Sequence, residues 1–231
     1  MRIVSIDLET TGLSSRLDKI IEIGAVAIED GVISNTFECL INPGRELSPH
    51  ITEITGIKDA DLNNKPLIKE VLPELAAFLQ DSVLLGHNIA FDYAFLKHAF
   101  VNEGISFERE GIDTLKITRA MFPGEQSKKL TDLCALFNIE LKPHRALNDA
   151  YATAELYLKI KDSYYEKEPS LFTPQKLIAH AKKQTPISKS QKERLNDIIK
   201  RNHVNCPYDI DLMTKNEASR YIDILKSEGF L

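Results

Sequence analysis

Residues 20–28, IIEIGAVAI, constrain the fold most strongly, because apolar and β-branched side chains would occupy both faces of an extended chain. Such a run is typical of a central strand that is covered on both sides. Residues 2–8 predict a short strand before it, and the turn pair Asp30-Gly31 predicts a hairpin into a return strand over residues 32–41. The chain is therefore expected to open with an antiparallel meander of three strands.

Helical and extended patterns alternate after this meander. Residues 42–66 are rich in Pro, Gly, Asn and Asp, which predicts a loop with short helical turns. Apolar spacing predicts helices over residues 67–80, 91–102, 129–137 and 146–162, and short strands over residues 82–86 and 111–114. This order of elements predicts an α/β fold in which helices flank a mixed sheet.

The character of the chain changes after residue 160. The polar segment 162–174 contains two prolines and is typical of a linker. Further helices are predicted over residues 175–183, 188–201 and 214–227, the last two with Ser or Thr caps. We therefore expect a first domain over residues 1–162, a linker over residues 163–184 and a small C-terminal helical module over residues 185–231.

The composition limits the class of protein. The chain of 231 residues has room for one substantial core and a small appendage. Its 43% hydrophobic and 27% charged residues are typical of soluble globular proteins, and no apolar run approaches the ~20 residues that cross a bilayer. The three dispersed cysteines match neither a disulfide framework nor a zinc site, and no signal peptide is evident. We expect a cytoplasmic protein without a membrane partner.

The net charge of −5 is unevenly distributed. Residues 161–231 contain 13 Lys and Arg against 10 Asp and Glu, a net charge of +3, which leaves −8 for residues 1–160. An acidic domain that binds a polyanion needs divalent cations to offset the repulsion, whereas a basic appendage could contact phosphates. A solvated helical hairpin that packs on the domain or on a partner is the alternative for the appendage.

Three short motifs contain acidic residues that could hold such cations. The first, DLETTG, ends the first strand, where alternation places Asp7 and Glu9 on the same face. Two carboxylates on one face repel each other unless a cation lies between them, and hard ions such as Mg²⁺ and Mn²⁺ prefer oxygen ligands. Solvated carboxylates without a metal are the alternative for this pair.

The other two motifs lie at the starts of predicted helices. In HNIAFD, Asp92 falls in the first helical turn, where the helix dipole stabilises a carboxylate whether or not it is catalytic. His87 and Asn88, at the start of this motif, also have a purely structural alternative as turn or cap residues. In HRALNDA, the spacing places His144 on a loop and Asp149 on the helix that follows.

Taken in this order, DLETTG, HNIAFD and HRALNDA resemble the three motifs of the DEDDh family of 3′→5′ exonucleases. This family includes the epsilon subunit of DNA polymerase III, the exonuclease domain of PolC and exonuclease X. The flanking segments IIEIGAV, TEITGI and RAMFPG match as well, so that the resemblance covers about residues 1–160. It implies an RNase H-like mixed β-sheet flanked by helices, followed by the small C-terminal helical module.

The resemblance also implies roles for five residues. Asp7, Glu9 and Asp149 would hold one of two divalent metal ions, Mg²⁺ or Mn²⁺. Asp7 would bridge to the second ion, which Asp92 would support. His144 would accept a proton from the attacking water, a role suited to a side chain type that titrates near neutral pH. The terminal nucleotide would be contacted by Thr10, Thr11, Gly12, Leu13, Ile54, Phe91, His87 and Asn88, although Phe91 has a core role as its alternative.

The function implied is hydrolysis of the terminal phosphodiester of single-stranded DNA, which releases nucleoside 5′-monophosphates during proofreading or repair. The expected partner is a single-stranded 3′ end, with DNA favoured over RNA, and a DNA polymerase is a further candidate partner. One alternative is an exoribonuclease that trims RNA with the same fold and site. The other is a subunit whose main role is to bind a polymerase.

Overall fold

The computed structural model describes residues 1–124 and 127–230. It contains a six-stranded mixed sheet in the order β3-β2-β1-β4-β5-β6. The strands are β1 (Ile3–Thr10), β2 (Ile20–Glu29), β3 (Val32–Leu40), β4 (Val83–Gly86), β5 (Glu110–Asp113) and β6 (Gln175–Lys176). The helices that accompany the sheet are α1 (Pro49–Thr55), α2 (Asp59–Leu62), α3 (Ile68–Leu79), α4 (Ile89–Asn102), α5 (Thr114–Met121), α6 (Leu130–Leu136) and α7 (Ala146–Tyr164).

The predicted meander is confirmed. Strands β1 and β2 are antiparallel, as are β2 and β3, and the turn between β2 and β3 places Asp30 and Gly31 in the left-handed region. Strand β4 joins the other side of β1 in parallel, and β5 is parallel to β4. Because β1 and β4 are parallel neighbours, their carboxyl ends lie at the same edge of the sheet, beside the start of α4.

Two hydrophobic cores cover the two faces of the sheet. Ile23 of β2 belongs to the core formed with α3 and α4, whereas Val26 of the same strand belongs to the core formed with α5, α6 and α7. This arrangement accounts for the apolar residues on both faces of segment 20–28. Each fully buried aliphatic side chain of this kind contributes about 1.5–3 kcal/mol to the stability of the fold.

The helix predicted over residues 175–183 is wrong. Gln175 and Lys176 instead form β6, which pairs antiparallel with β5, and Leu177 packs against Gly111 in the core. The open edge of β5 supplies hydrogen bonds that a local helical preference cannot match, so tertiary pairing decides the conformation. Helix α5, over Thr114–Met121, is a second difference, since the sequence patterns predicted no helix there.

The C-terminal helices α8 (Lys189–Asn202) and α9 (Lys215–Ser227) pack on each other around a core of their own. Their predicted caps are present, because Ser188 Oγ accepts from Gln191 N at 3.3 Å and Thr214 Oγ1 accepts from Glu217 N at 3.2 Å. Phe172 packs into a core of the sheet, although it precedes these helices in the segment predicted as a linker. The division of the chain into domains stays a prediction. Within the described part of the chain, no helix combines the length and apolar character needed to cross a bilayer.

Candidate active site

Three carboxylates converge at the carboxyl end of β1. Asp7 and Glu9 alternate along β1, and Asp149 comes from the first turn of α7. One oxygen atom of each side chain lies within 4.8 Å of the others. The structure therefore brings together three of the four predicted metal-binding residues as a group of oxygen donors.

A close contact between α7 and β2 places Asp149 there. Gly24 pairs with Asp7 across the two strands, and the start of α7 crosses directly over it. A Cβ atom at Gly24 would collide with the backbone of Ala146 and Leu147, so only glycine permits this approach. The sequence run IIEIGAV thus contains the residue that lets helix and strand meet at the site.

The fourth carboxylate, Asp92, lies in the first turn of α4 and is buried. Its Oδ1 atom accepts a hydrogen bond from the backbone N of Leu8 at 3.1 Å, which fixes it beside the residue between Asp7 and Glu9. Asp92 is not one of the three residues whose donor atoms lie within 4.8 Å of one another. It nevertheless adds its charge to the same small volume.

Burial and mutual repulsion raise the pKa values of these groups. Burial, followed by the charges of Asp92 and Asp149, raises the pKa of Asp7 well above its ordinary value. Burial, with Asp149 next, raises the pKa of Glu9 to about 7. Carboxylates in this arrangement hold their full charge only when a cation offsets the repulsion.

Hydrogen bonds partly offset the effect at the other two carboxylates. Burial raises the pKa of Asp92 to about 8, against hydrogen bonds from its own backbone N–H and that of Leu8. Burial also raises the pKa of Asp149, although the backbone N–H groups of His144 and Arg145 oppose it. A set of oxygen donors with excess negative charge, half-buried in Asp7, Glu9 and Asp149 and buried in Asp92, fits hard divalent cations such as Mg²⁺ or Mn²⁺.

The predicted general base, His144, lies on the exposed loop before α7. Its backbone adopts a left-handed conformation with φ of 67°. Its N–H donates to Asp149 Oδ2 at 2.8 Å, and the N–H of Arg145 donates to the same oxygen at 3.2 Å. The loop is therefore fixed by one of the carboxylates of the site, with the imidazole open to solvent beside it.

Sequence reasoning missed an ion pair beneath this loop between the exposed Arg145 and a buried carboxylate. Glu22 lies fully buried in β2 opposite Glu9, and its Oε1 accepts from Nε and Nη2 of Arg145 at 2.9 and 2.8 Å. Its Oε2 accepts from the N–H of Ala146 at 3.0 Å. A charged residue inside the apolar run IIEIGAVAI was the available signal, because such a residue needs a partner when buried.

The residues predicted to contact the terminal nucleotide fall into two groups. Thr10 to Leu13 form the turn after β1, in which Thr10 Oγ1 donates to Gly12 O at 2.6 Å and Thr11 Oγ1 accepts from Lys19 N at 2.9 Å. Leu13 is 88% exposed, and Ile54 on α1 is also exposed. Exposed apolar side chains of this kind are available to a ligand.

His87, Asn88 and Phe91 have structural contacts of their own. The ring nitrogens of His87 lie 2.9 Å from Thr114 Oγ1 and 2.7 Å from Lys128 O, and burial lowers the pKa of the ring. Asn88 adopts a left-handed turn, and the Phe91 ring packs 5.0 Å from that of Phe95. A contact of these three residues with a nucleotide stays a prediction.

An exonuclease family model, RNase T, matches residues 4–157. The PolC-type DNA polymerase III of Caldanaerobacter subterraneus subsp. tengcongensis is 41% identical over 164 residues, which is 71% of this chain and 12% of that protein. The epsilon subunit of DNA polymerase III from Aquifex aeolicus is 37% identical over 166 residues, 71% of this chain and 82% of that protein. The chain thus spans only a small part of its PolC-type relatives.

Solved structures that are similar to this chain are also exonucleases. Exonuclease X in complex with 5′-overhanging duplex DNA is 31% identical with a TM-score of 0.58, and the match covers 71% of this chain and 92% of that one. E. coli exonuclease I in complex with a dA16 oligonucleotide has a TM-score of 0.64 at 20% identity, over 74% of this chain and 42% of that one, and so supports the fold alone. Because the family match spans all three acidic motifs, this chain belongs to the DEDDh-type exonuclease family.

Proposed function

We propose that the protein is a metal-dependent 3′→5′ exonuclease that removes nucleoside 5′-monophosphates from single-stranded DNA. The observation that carries this proposal is the convergence of Asp7, Glu9 and Asp149, whose oxygen atoms lie within 4.8 Å of one another. Asp92 is held next to them by the backbone of Leu8. With divalent cations bound to these oxygen atoms, the site would suit a reaction in which negative charge develops on the oxygen atoms of a substrate.

Asp7, Glu9 and Asp149 would hold one divalent ion, and Asp7 together with Asp92 would hold a second. Two such ions supply charge stabilisation for the attacking and the leaving oxygen of a phosphodiester. The carboxylates would fix the positions of the divalent cations and would thereby orient the scissile phosphate. The raised pKa values of Asp7 and Asp92 support this assignment, because burial, and for Asp7 also the charges of Asp92 and Asp149, disfavours carboxylates whose charge no cation offsets.

His144 would accept the proton from the attacking water. Its loop position, with its own backbone bound to Asp149, keeps the imidazole close to the carboxylates while leaving it free to meet substrate. The ion pair between Arg145 and buried Glu22 fixes the next residue of the loop. A general base needs this kind of fixed placement, since proton transfer depends first on geometry.

DNA is the proposed substrate because the relatives with substantial identity are named as DNA polymerase III proteins, and exonuclease X was solved with DNA. The exposed side chains of Leu13 and Ile54 are suited to packing on a terminal base. The same relatives support a role in proofreading or repair with a polymerase as partner. A pull-down with the replicative polymerase of the source organism would test that association.

Digestion of end-labelled, single-stranded DNA and RNA of the same sequence tests the proposal. We expect DNA to shorten from the 3′ end with Mg²⁺ or Mn²⁺, to stay intact in EDTA, and to yield nucleoside 5′-monophosphates. Faster shortening of RNA than of DNA would replace the proposed substrate by RNA. No cleavage of either strand with either ion would refute the proposed activity.

A further inference from the structure

The turn after β1, over residues 11–19, is closed at its base by two residues. Thr11 N donates to Lys19 O at 2.8 Å, and Lys19 N donates to Thr11 Oγ1 at 2.9 Å. Inside the turn, Asp18 Oδ2 accepts from Ser14 N at 2.9 Å. Because these contacts hold the turn together as a unit, whatever holds Lys19 also positions Thr11 and the residues beside it.

A cleft of about 480 Å³ separates this turn from the C-terminal helices. Its walls include Arg16 and Ile20 on the side of the turn and Leu212 and Met213 on the side of the helices. Side-chain packing does not fill this space, and two polar contacts join the turn to the C-terminal part of the chain across it. One is the ion pair of Lys19 Nζ with Glu217 at 3.0 Å. Another is a hydrogen bond from Gln184 Nε2 to Arg16 O at 2.9 Å.

Glu217 is itself held firmly at the start of α9. Its Oε2 accepts from Thr214 N at 2.7 Å in the capping box, and its Oε1 also pairs with Arg45. The side chain is only 10% exposed. Burial raises the pKa of Glu217, but Lys19 and Thr214 outweigh burial and leave its pKa below the ordinary value. The carboxylate therefore stays charged between two cations of the first domain.

The C-terminal helices also dock on the first domain independently of Lys19. Glu46 N donates to Pro207 O at 2.7 Å, and Asp209 N donates to Gly44 O at 2.8 Å. The guanidinium of Arg45 lies over the ring of Tyr208, 5.3 Å from its centroid. These contacts fix residues 207–209, which lead towards α9, against residues 44–46.

We propose that Glu217 is a positioning residue for the exonuclease. Through Lys19 it fixes the turn over residues 11–19, and thereby the residues Thr11 to Leu13 that would receive the 3′-terminal nucleotide. This inference rests on the proposed function. It assigns Glu217 of α9 an effect on the binding of the terminal nucleotide at every substrate length, through Lys19 and without contact between Glu217 and nucleic acid.

The test compares Glu217→Gln with Asp223→Asn in the full chain. Glutamine at this position also serves a capping box, so the first variant removes only the charge opposite Lys19 and Arg45. Asp223 is on the same helix, is exposed and pairs only with Lys226 at 2.9 Å among the described residues, so its variant matches the charge change. We expect Glu217→Gln to raise KM for a trinucleotide roughly three- to tenfold with kcat within about twofold, the range of couplings between groups in contact. Asp223→Asn should leave both constants unchanged.

Hydrogen–deuterium exchange supplies a readout that does not depend on catalysis. Amides of the peptide over residues 10–20 should exchange faster in Glu217→Gln and in Lys19→Gln than in the wild type. The second variant leaves Arg45 paired with Glu217, so it covers the case in which loss of both pairs unfolds the chain. The effects of the two variants on KM should be strongly non-additive, because both break the same contact.

Two outcomes overturn the inference. One is unchanged exchange over residues 10–20 and unchanged KM in folded Glu217→Gln protein. The other is a rise in KM of Glu217→Gln that is confined to long substrates, which would mean that Glu217 acts on the distant part of the strand and not on the turn. Failure of the wild type to cleave any strand would refute the proposed function alone, since the exchange comparison would still decide whether Glu217 fixes the turn.

Discussion

Asp7 is the carboxylate whose pKa is raised by the other acidic side chains of the site. Burial has the largest effect on its pKa, and Asp92, Asp149, Glu9 and Glu22 add to it. The other four acidic side chains lie on β1, β2, α4 and α7, and cations bound among them would offset the cost of bringing these charges together. Replacing one of these carboxylates by the corresponding amide removes its charge and keeps its shape.

Asp7→Asn keeps the shape of the side chain and removes one negative charge. We expect cleavage to fall by at least about 10³-fold, because several kcal/mol of charge stabilisation are lost. Single-turnover digestion of end-labelled DNA measures the effect. Asp30→Asn, in the turn between β2 and β3, is the matched control because asparagine tolerates the left-handed conformation found there. Cleavage by Asp7→Asn at the rate of this control would contradict the assignment.

His144→Asn tests the proposed general base. Asparagine also tolerates the left-handed backbone of this position, so the loop should persist without the imidazole. We expect kcat to fall by ~10²–10⁴-fold, the usual contribution of a positioned acid or base. Binding of Mn²⁺, followed by electron paramagnetic resonance, should stay as in the wild type. His203→Asn, at the end of α8, is the control, and equal kcat values for the two variants would exclude the role.

At the scale of elements, the contact of β2 with α7 assembles the site. Gly24 allows the close approach, and Glu22 on the same strand binds both Arg145 and the backbone of Ala146. Strand β2 therefore fixes the start of α7 in two ways. Gly24 leaves room for the helix backbone, and the buried carboxylate of Glu22, two residues earlier, binds it. Asp149 and His144 depend on this fixed start for their positions.

Gly24→Ala should displace α7 and weaken the fold. Its Cβ atom would meet backbone atoms that cannot rotate away, so we expect a loss of about 1–3 kcal/mol or more in the free energy of unfolding. Urea denaturation measures the loss, and cleavage should fall with it. Gly124→Ala is the control, since no atom of the described residues lies within 4 Å of an added Cβ there. Equal urea midpoints for the two variants would show that α7 can move away from β2 without loss of stability.

At the scale of the whole molecule, the site links stability to pH and to metal. The folded-state pKa values of Glu9 and Asp92 are about 7 and about 8, which is above their ordinary values of about 4. Between the ordinary and the raised pKa values, the folded chain therefore binds more protons than the unfolded chain. Their contribution to stability is present at low pH and is lost as the pH rises towards 8. Cations that bind the charged carboxylates should offset this loss.

The melting temperature of metal-free protein should therefore fall relative to the Asp7→Asn variant between pH 5.5 and pH 8.5. Each kcal/mol lost corresponds to roughly 2–4 °C in a chain of this size. The gain in melting temperature on adding Mn²⁺ should increase over the same interval. Calorimetry at several pH values with EDTA or Mn²⁺ measures both. A gain from Mn²⁺ that is independent of pH would contradict the linkage.

The basic residues of α8 give a prediction about long substrates. Arg194, Lys200 and Arg201 are exposed on this helix. If all three contact phosphates, their replacement by glutamine should reduce the salt slope for long single strands by about 2, since each contact contributes ~0.7. The dependence of kcat/KM on salt measures this slope. A trinucleotide should show no difference, and parallel slopes on long DNA would leave α8 with a docking or structural role only.

Substitution is preferable to truncation in this experiment. Ending the chain at residue 162 would remove Phe172 and Leu177, which are buried in the two cores of the sheet, together with strand β6. Loss of activity in such a fragment would then reflect damage to the sheet and its two cores. The glutamine variants leave these contacts intact and isolate the charge.

Local patterns predicted the meander and most helices, because these depend on short-range rules, whereas the roles of the four carboxylates were implied by the family resemblance. Alternation places Asp7 and Glu9 on one face of a strand, and capping residues mark the starts of α8 and α9. Local patterns did not predict the conformation correctly where pairing with a distant strand edge competes with a local helical preference. Residues 175–183 are the example, since the edge of β5 determines their conformation.

The sequence by itself determined the family, the type of fold and the identities of the acidic residues, since each is encoded in residues close together along the chain. Only the tertiary structure decided that Glu22 lies beneath Arg145 and that Glu217 pairs with Lys19 and Arg45. These pairs join positions more than a hundred residues apart. Their existence depends on how the helices and strands pack, and no local pattern of hydrophobicity or charge specifies that packing.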